Sequence, residues 1–250
     1  MQSKKRIPII IIMATIILSV ACQRQQTNKV MPAPSANPQN SAGEKSPELL
    51  SVQDQGRFDE ISKVLTTIES GKSALQQIEA YQVDVRFEPG EGSRFLPSSN
   101  EIVIDSGFGD FTAALILVHE TTHARYYHEG LTADIKLLNR QSYIQMKTEE
   151  EMAAAINSIA ATKEFWESGV RVANLHQALY YPYQQAYGSA VRSAKSEHPG
   201  LDEVSLQNIG HTAGRATVRW AFLNGQVVTS ITQQTYPEYW GSVWDQSKGV

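Results

Sequence analysis

The 250-residue chain carries 22 Lys+Arg against 26 Asp+Glu, 41% hydrophobic residues, six His and one Cys. At ~100–200 residues per domain this is one domain with a core, or a domain plus a tail, and the composition excludes wholesale disorder and fibrous rods. A net charge of −4 gives no electrostatic basis for a nucleic-acid partner, and a single Cys excludes an intrachain disulfide or a cysteine-rich metal site, so the chemistry must come from His, Asp, Glu, Ser or Tyr.

The N-terminus reads Lys4-Lys5-Arg6, then an uncharged run of 15 residues from Ile7 to Ala21, then Cys22. The run is shorter than the roughly 20 residues a membrane-spanning helix needs. A basic start, a short apolar stretch and small residues before a cleavage point describe a secretory signal peptide at 1–21. The segment Leu18-Ser19-Val20-Ala21-Cys22 resembles the bacterial lipobox, which implies that Cys22 is acylated and becomes the mature N-terminus. Residues 22–48, rich in Gln, Asn, Ser, Pro and Ala, read as a lipid-anchored flexible linker ahead of a domain at 49–250. The expected location is extracytoplasmic, anchored in the cell envelope. Gln23 after the cysteine, in place of the Asp associated with inner-membrane retention, points to the outer membrane in a two-membrane cell. Three of the 22 basic residues and none of the 26 acidic ones fall in 1–21, so removing that segment takes the net charge from −4 to −7. The lipid, not a basic patch, is the expected membrane attachment.

Within the domain, Ile61, Val64, Leu65, Ile68, Leu75 and Ile78 fall at helical spacing and predict two helices broken at Ser70-Gly71. Val83, Val85 and Phe87 alternate with Asp84 and Arg86, a half-buried strand ended by Pro89-Gly90. Phe95 and Leu96 precede a turn at 97–100, and Ile102-Val103-Ile104 predict a short strand closed by Asp105-Ser106-Gly107. The run from Phe111 to Tyr127 predicts a buried helix, followed by helices from about Lys147 to Trp166, from about Ala173 to Ala194, and one or two more after Gly200. The aromatic-rich tail with Tyr239, Trp240 and Trp244 reads as packing or capping. The expected class is α+β: mainly helical with a small N-terminal sheet.

Inside the buried helix stands His119-Glu120-Thr121-Thr122-His123. Residues at i and i+4 differ by about 40° around a helix, so both imidazoles leave the same face one turn apart. That spacing suits two ligands of one zinc ion, and Glu120, one step around, can reach a water there as general base. Random placement would give about 0.01 such motifs in a chain of this composition. Leu115-Ile116-Leu117-Val118 lead straight into the motif, and two imidazoles and a carboxylate beside an apolar run are costly unless something pairs with them.

A catalytic zinc needs a third protein ligand. The metzincin arrangement would place Gly at 126 and His at 129, where the chain has Tyr126 and Glu129; Glu129 could serve only if the helix broke after His123. The gluzincin arrangement instead takes a glutamate from a second, packed helix, and Thr148-Glu149-Glu150-Glu151-Met152-Ala153-Ala154-Ala155 resembles it. Alanines let two backbones approach, and a glutamate three or four residues before them lies on the approaching face. Glu151 is the first choice, Glu150 the second and Glu149 the third; the others would form a solvated first turn.

The motif from Leu117 to Arg125, followed by a Glu-x-x-Ala helix, resembles the small gluzincin-type zinc metallopeptidases, the minigluzincin group. The likeness covers about residues 55–170 and implies a thermolysin-like core, one zinc ion and hydrolysis of peptide or protein substrates. It also implies a further Tyr or His at the oxyanion; Tyr126, Tyr127, His128 and His211 are the candidates. The resemblance further implies an edge strand at Asn100–Asp105 just before the motif helix, to which an extended substrate would add near Ile102–Ile104. The competing expectation is a non-catalytic, lipid-anchored binding protein with a structural or relict zinc site.

Overall fold

The computed structural model describes residues 52–90, 92–173, 175–229 and 232–249. The signal-peptide, linker and Cys22 readings fall outside the described residues.

The first helices are α1 (Val52–Leu65) and α2 (Glu69–Tyr81). The break falls at 66–68 rather than at Ser70-Gly71, which sits in the first turn of α2. Gly71 is needed there because a Cβ would stand 2.2 Å from the Leu65 carbonyl oxygen, so the chain could not turn so tightly off the end of α1 with any other residue. The start of α2 is fastened from a distance: the Ser70 backbone N–H donates to Glu164 Oε2 at 2.9 Å, and its hydroxyl to Glu164 Oε1.

Three strands follow: β1 (Asp84–Glu88), β2 (Arg94–Leu96) and β3 (Glu101–Asp105). Their order is β1-β3-β2, with β1 parallel and β2 antiparallel to β3. The strand at Ile102–Ile104 is therefore central, not an edge: Val103 pairs with Arg86 on one side and Arg94 on the other. β2 has three half-buried residues, too short for alternation to announce it, and it takes the edge position that the sequence had suggested for β3.

The helix α3 (Asp110–His128) carries the motif and is buried on nearly every side from Ala113 to Val118. It packs on α4 (Arg140–Glu167), which begins seven residues earlier than the periodicity suggests. The reason is local: Asn139 caps it, its side-chain oxygen accepting from the Ser142 backbone N–H at 2.9 Å. Ala154, Ala155, Ser158 and Ala161 are all buried along α4, small residues that admit the backbone of a neighbour.

The remaining helices are α5 (Gln177–Glu197), α6 (Glu203–Leu223) and α7 (Tyr236–Lys248). α5 and α6 meet where Gly210 and Gly214 face the rings of Tyr187 and Tyr183; a Cβ at either glycine would stand 2.6 Å from ring carbon. Thr235 and Glu238 form a reciprocal capping box that fixes the start of α7. As expected, the tail aromatics pack: Trp240 meets Tyr143 edge-on and Trp244 Nε1 donates to the Leu138 carbonyl.

Two apolar cores result among the described residues. One joins α1, α2, the sheet and α3 through Leu65, Ile78, Ile104, Leu117 and Phe165. The other joins Met152 and Ile159 to Tyr183, Val218 and Phe222. α4 contributes to both, and it meets the motif helix from Glu150 through Asn157 and Ser158 to Phe165. The observed architecture is α+β, mainly helical with a small three-stranded sheet.

Candidate metal centre

His119 and His123 leave one face of α3 with their Nε2 atoms 3.3 Å apart. From α4, Glu151 comes between them: Oε1 lies 3.8 Å from His123 Nε2 and Oε2 lies 3.9 Å from His119 Nε2. One ligand atom from each of the three residues lies within 4.8 Å of the others. A tetrahedral centre with bonds of ~2.05 Å separates its ligands by about 3.3 Å, so the histidine pair already has the spacing of a zinc site, with the carboxylate slightly farther out. The donor set, two imidazoles and one carboxylate, is also that of a catalytic zinc.

The neighbouring glutamates do other work. Glu150, almost fully buried, lies with Oε1 2.8 Å from His123 Nδ1 and Oε2 2.9 Å from Lys147 Nζ. It therefore holds the ring from behind and leaves Nε2 facing the centre. Glu149 lies on the surface, accepting from Gln145 and 3.6 Å from Arg219. Glu129 is exposed beyond the end of α3, and Tyr81 Oη donates to it at 3.2 Å; the helix does not break after His123. His119 differs from His123 in that its Nδ1 is buried without a hydrogen-bond partner.

Burial dominates the electrostatics. It raises Glu120 to about 7, with the Glu151 charge adding to the effect and the charge of His123 and a backbone hydrogen bond from Phe95 opposing it. Burial also raises Glu151. On His123 burial acts downward, but the bond to Glu150 and the charges of Glu151 and Glu120 outweigh it and lift the imidazole to about 9. His119 is driven well below its ordinary value by burial and by the positive charge of His123. Without a cation, these carboxylates place a proton on His123.

Two residues near this group were not foreseen. The ring of His176, just ahead of α5, stacks on that of His119 with centroids 5.5 Å apart, and burial lowers it to about 4. Tyr236, the first residue of α7, is raised by burial and by the charges of Glu151 and Glu120. No spacing in the sequence connects either to the motif. The only available signal is the Thr235-x-x-Glu238 capping box, which sets where α7 starts.

The four oxyanion candidates Tyr126, Tyr127, His128 and His211 have other surroundings. Tyr127 is exposed against Phe95, and His128 stacks on Tyr81 and bonds Asn100. His211 Nδ1 lies 2.6 Å from the Tyr183 hydroxyl in the α5–α6 contact. Tyr126 is raised by burial, with Arg125 opposing and the charges of Glu150, Glu149 and Glu129 adding to it.

No family model, curated protein or solved structure matches the chain. No helix of the described residues is long and apolar enough to cross a membrane.

Proposed function

We propose that this protein is a zinc-dependent peptidase of the cell envelope, tethered through an acylated Cys22 and resembling the gluzincins in its core. The observation that carries the reading is the convergence of His119 and His123 from one helix with Glu151 from another, beside a buried Glu120. His119, His123 and Glu151 would hold the ion. When bound, zinc acidifies a water and polarises a peptide carbonyl.

The chain's own groups would do the rest. Glu120, near 7, is matched to taking a proton at neutral pH and returning it to the leaving amine. His176 and Tyr236 are uncharged at that pH, and the tyrosine hydroxyl can donate to negative charge developing beside the carboxylates. Glu150 orients His123. The open edge of β2, whose Phe95 backbone already bonds Glu120, replaces β3 as the place for an extended substrate to add.

The competing reading, a non-catalytic lipid-anchored binder with a structural zinc, draws on Glu120 being only 7% exposed. One substitution separates the two. Glu120→Gln in an active hydrolase retains zinc and loses at least about 100-fold of peptide cleavage, the lower end of a general-base contribution. A parent protein that binds zinc yet cleaves no member of a peptide library overturns the enzyme reading. Loss of fatty-acid labelling in Cys22→Ser tests the tether.

A further inference from the structure

The last helix, α7, runs antiparallel along the first half of α4. At one end Arg140 Nε and Nη2 donate to Asp245 Oδ1 and Oδ2 at 2.8 and 2.9 Å, and Trp244 reaches the Leu138 carbonyl. In the middle Trp240 meets Tyr143 and Lys147, and toward the other end Tyr236 feels the charge of Glu151. Tyr236, Trp240 and Trp244 stand four residues apart, so one stripe of α7 faces α4.

Trp240 does not hold its place through its polar edge. Its Nε1 is buried and has no hydrogen-bond partner among the described residues, although a buried indole N–H ordinarily finds one. Its neighbours are instead two rings and a cation. Tyr143 and Tyr239 meet it edge-on at centroid distances of 6.3 and 4.8 Å, and Lys147 Nζ lies over its face, 4.8 Å from the centroid. An ammonium over an indole is the most favourable cation–π pairing for a lysine, and it strengthens as water is excluded.

The same ammonium donates to Glu150 Oε2 at 2.9 Å, and Oε1 of that carboxylate lies 2.8 Å from His123 Nδ1. The Glu150 side chain is 3% exposed, but that of Lys147 is 14% exposed, on a flexible stem that could carry the charge into water. Held between indole and carboxylate, the ammonium stays on Glu150. With a partner on each oxygen, the carboxylate in turn stays on the ring nitrogen.

We propose that Trp240 and Lys147 are positioning residues for the metal centre, and that the docking of α7 on α4 thereby sets its affinity for a divalent cation. The contacts run from Trp240 to Lys147, to Glu150, to His123, so the helix that brings Tyr236 to the site also steadies an imidazole it does not touch. The affinity part rests on the metal reading of His119, His123 and Glu151; the orientation of His123 does not.

Two measurements on the full-length protein test it. One is zinc affinity by chelator competition; the other, after chelator treatment, is solvent exchange of the His123 Nδ1–H proton, followed by magnetic resonance on isotope-labelled histidine. Lys147→Met is expected to weaken zinc binding about tenfold, and Lys147→Arg, which can still bond the carboxylate and stack on the indole, to restore most of it. Trp240→Leu should cost about three- to tenfold, and Trp240→Phe less. Lys147→Met and Trp240→Leu should each speed exchange of the His123 proton several-fold. In the Lys147→Met background Trp240→Leu should add nothing, since Trp240 acts through the ammonium. An equal cost of Trp240→Leu in both backgrounds would mark packing alone and overturn the assignment. Unchanged exchange in a folded Trp240→Leu protein would overturn it whether or not metal binds. A parent protein that takes up no zinc overturns the metal reading and the affinity part together, and the exchange measurement then judges the orientation. Should Trp240→Leu fail to fold by circular dichroism, Trp240→Phe takes its place in both tests.

Discussion

His123 and Glu150 are joined across two helices by a 2.8 Å contact between Nδ1 and Oε1, and Lys147 holds the other oxygen of the same carboxylate at 2.9 Å. Lys147 and Glu150 lie three apart on α4, so one turn of that helix presents an oriented carboxylate to the motif helix. Glu150→Gln keeps an acceptor but removes the charge that favours a metal-binding imidazole. Zinc affinity, measured by competition with a chelator, is expected to fall by about 10–100-fold while the helical circular dichroism persists. Unchanged affinity would mean that His123 orientation is set by packing alone.

The three consecutive glutamates separate into three roles, and single substitutions should show it. Glu151→Gln is expected to leave little tightly bound zinc at stoichiometric metal, whereas Glu149→Gln retains full occupancy, because Glu149 faces Arg219 at the surface. Metal content after gel filtration measures both. Full occupancy in Glu151→Gln would move the third ligand elsewhere.

In the metal-free protein, stability should fall as pH rises from about 6.5 to 9. Burial lowers His123, but Glu150, Glu151 and Glu120 carry it to about 9, above its ordinary 6.5. A base raised on folding adds stability fully present below its unfolded value and lost as pH passes its folded value. Glu120, raised to about 7 by burial, acts in the same direction at the lower part of this window. The lowered values of His119 and His176 act oppositely, but below 6.5. Zinc displaces the proton from His123, so the melting temperature of the loaded form should be higher and nearly level across the window. Thermal unfolding with and without chelator at pH 6.5, 7.5 and 9 checks this; two parallel curves would contradict it.

Gly214→Ala is expected to destabilise the α5–α6 contact by about 1–3 kcal/mol, the usual cost of overpacking. The new Cβ would stand 2.6 Å from the ring of Tyr183, which is fully buried. Urea unfolding measures the loss. Zinc content should be unaltered, since the contact lies in the second core.

Much of the site was written in local spacing. The i, i+4 interval puts His119 and His123 on one face of a helix whatever surrounds it, and alanines three and four residues after Glu151 mark the face of α4 that can approach α3. Helix content and the approximate bounds of α3 followed from the same periodicity. Boundaries set by single contacts did not: Asn139 extends α4 backward through its cap, and Gly71 lets α2 begin earlier than a Ser-Gly break suggests.

What only the tertiary structure decided depends on residues far apart in the chain. Strand order is such a property, because β2 between two turns could pair on either side of β3, and its placement moved the open edge from Ile102–Ile104 to Arg94–Leu96. The choice of Glu151 as partner to both histidines, with Glu150 behind His123, rests on the rotation of α4 against α3, which one step of sequence changes by about 100°. His176 and Tyr236 reach the same group only because α5 and α7 begin beside it. The sequence alone determined which side chains share a helix face; the meeting of faces is fixed by the packing of two cores, whose apolar contacts carry no signature at any single position.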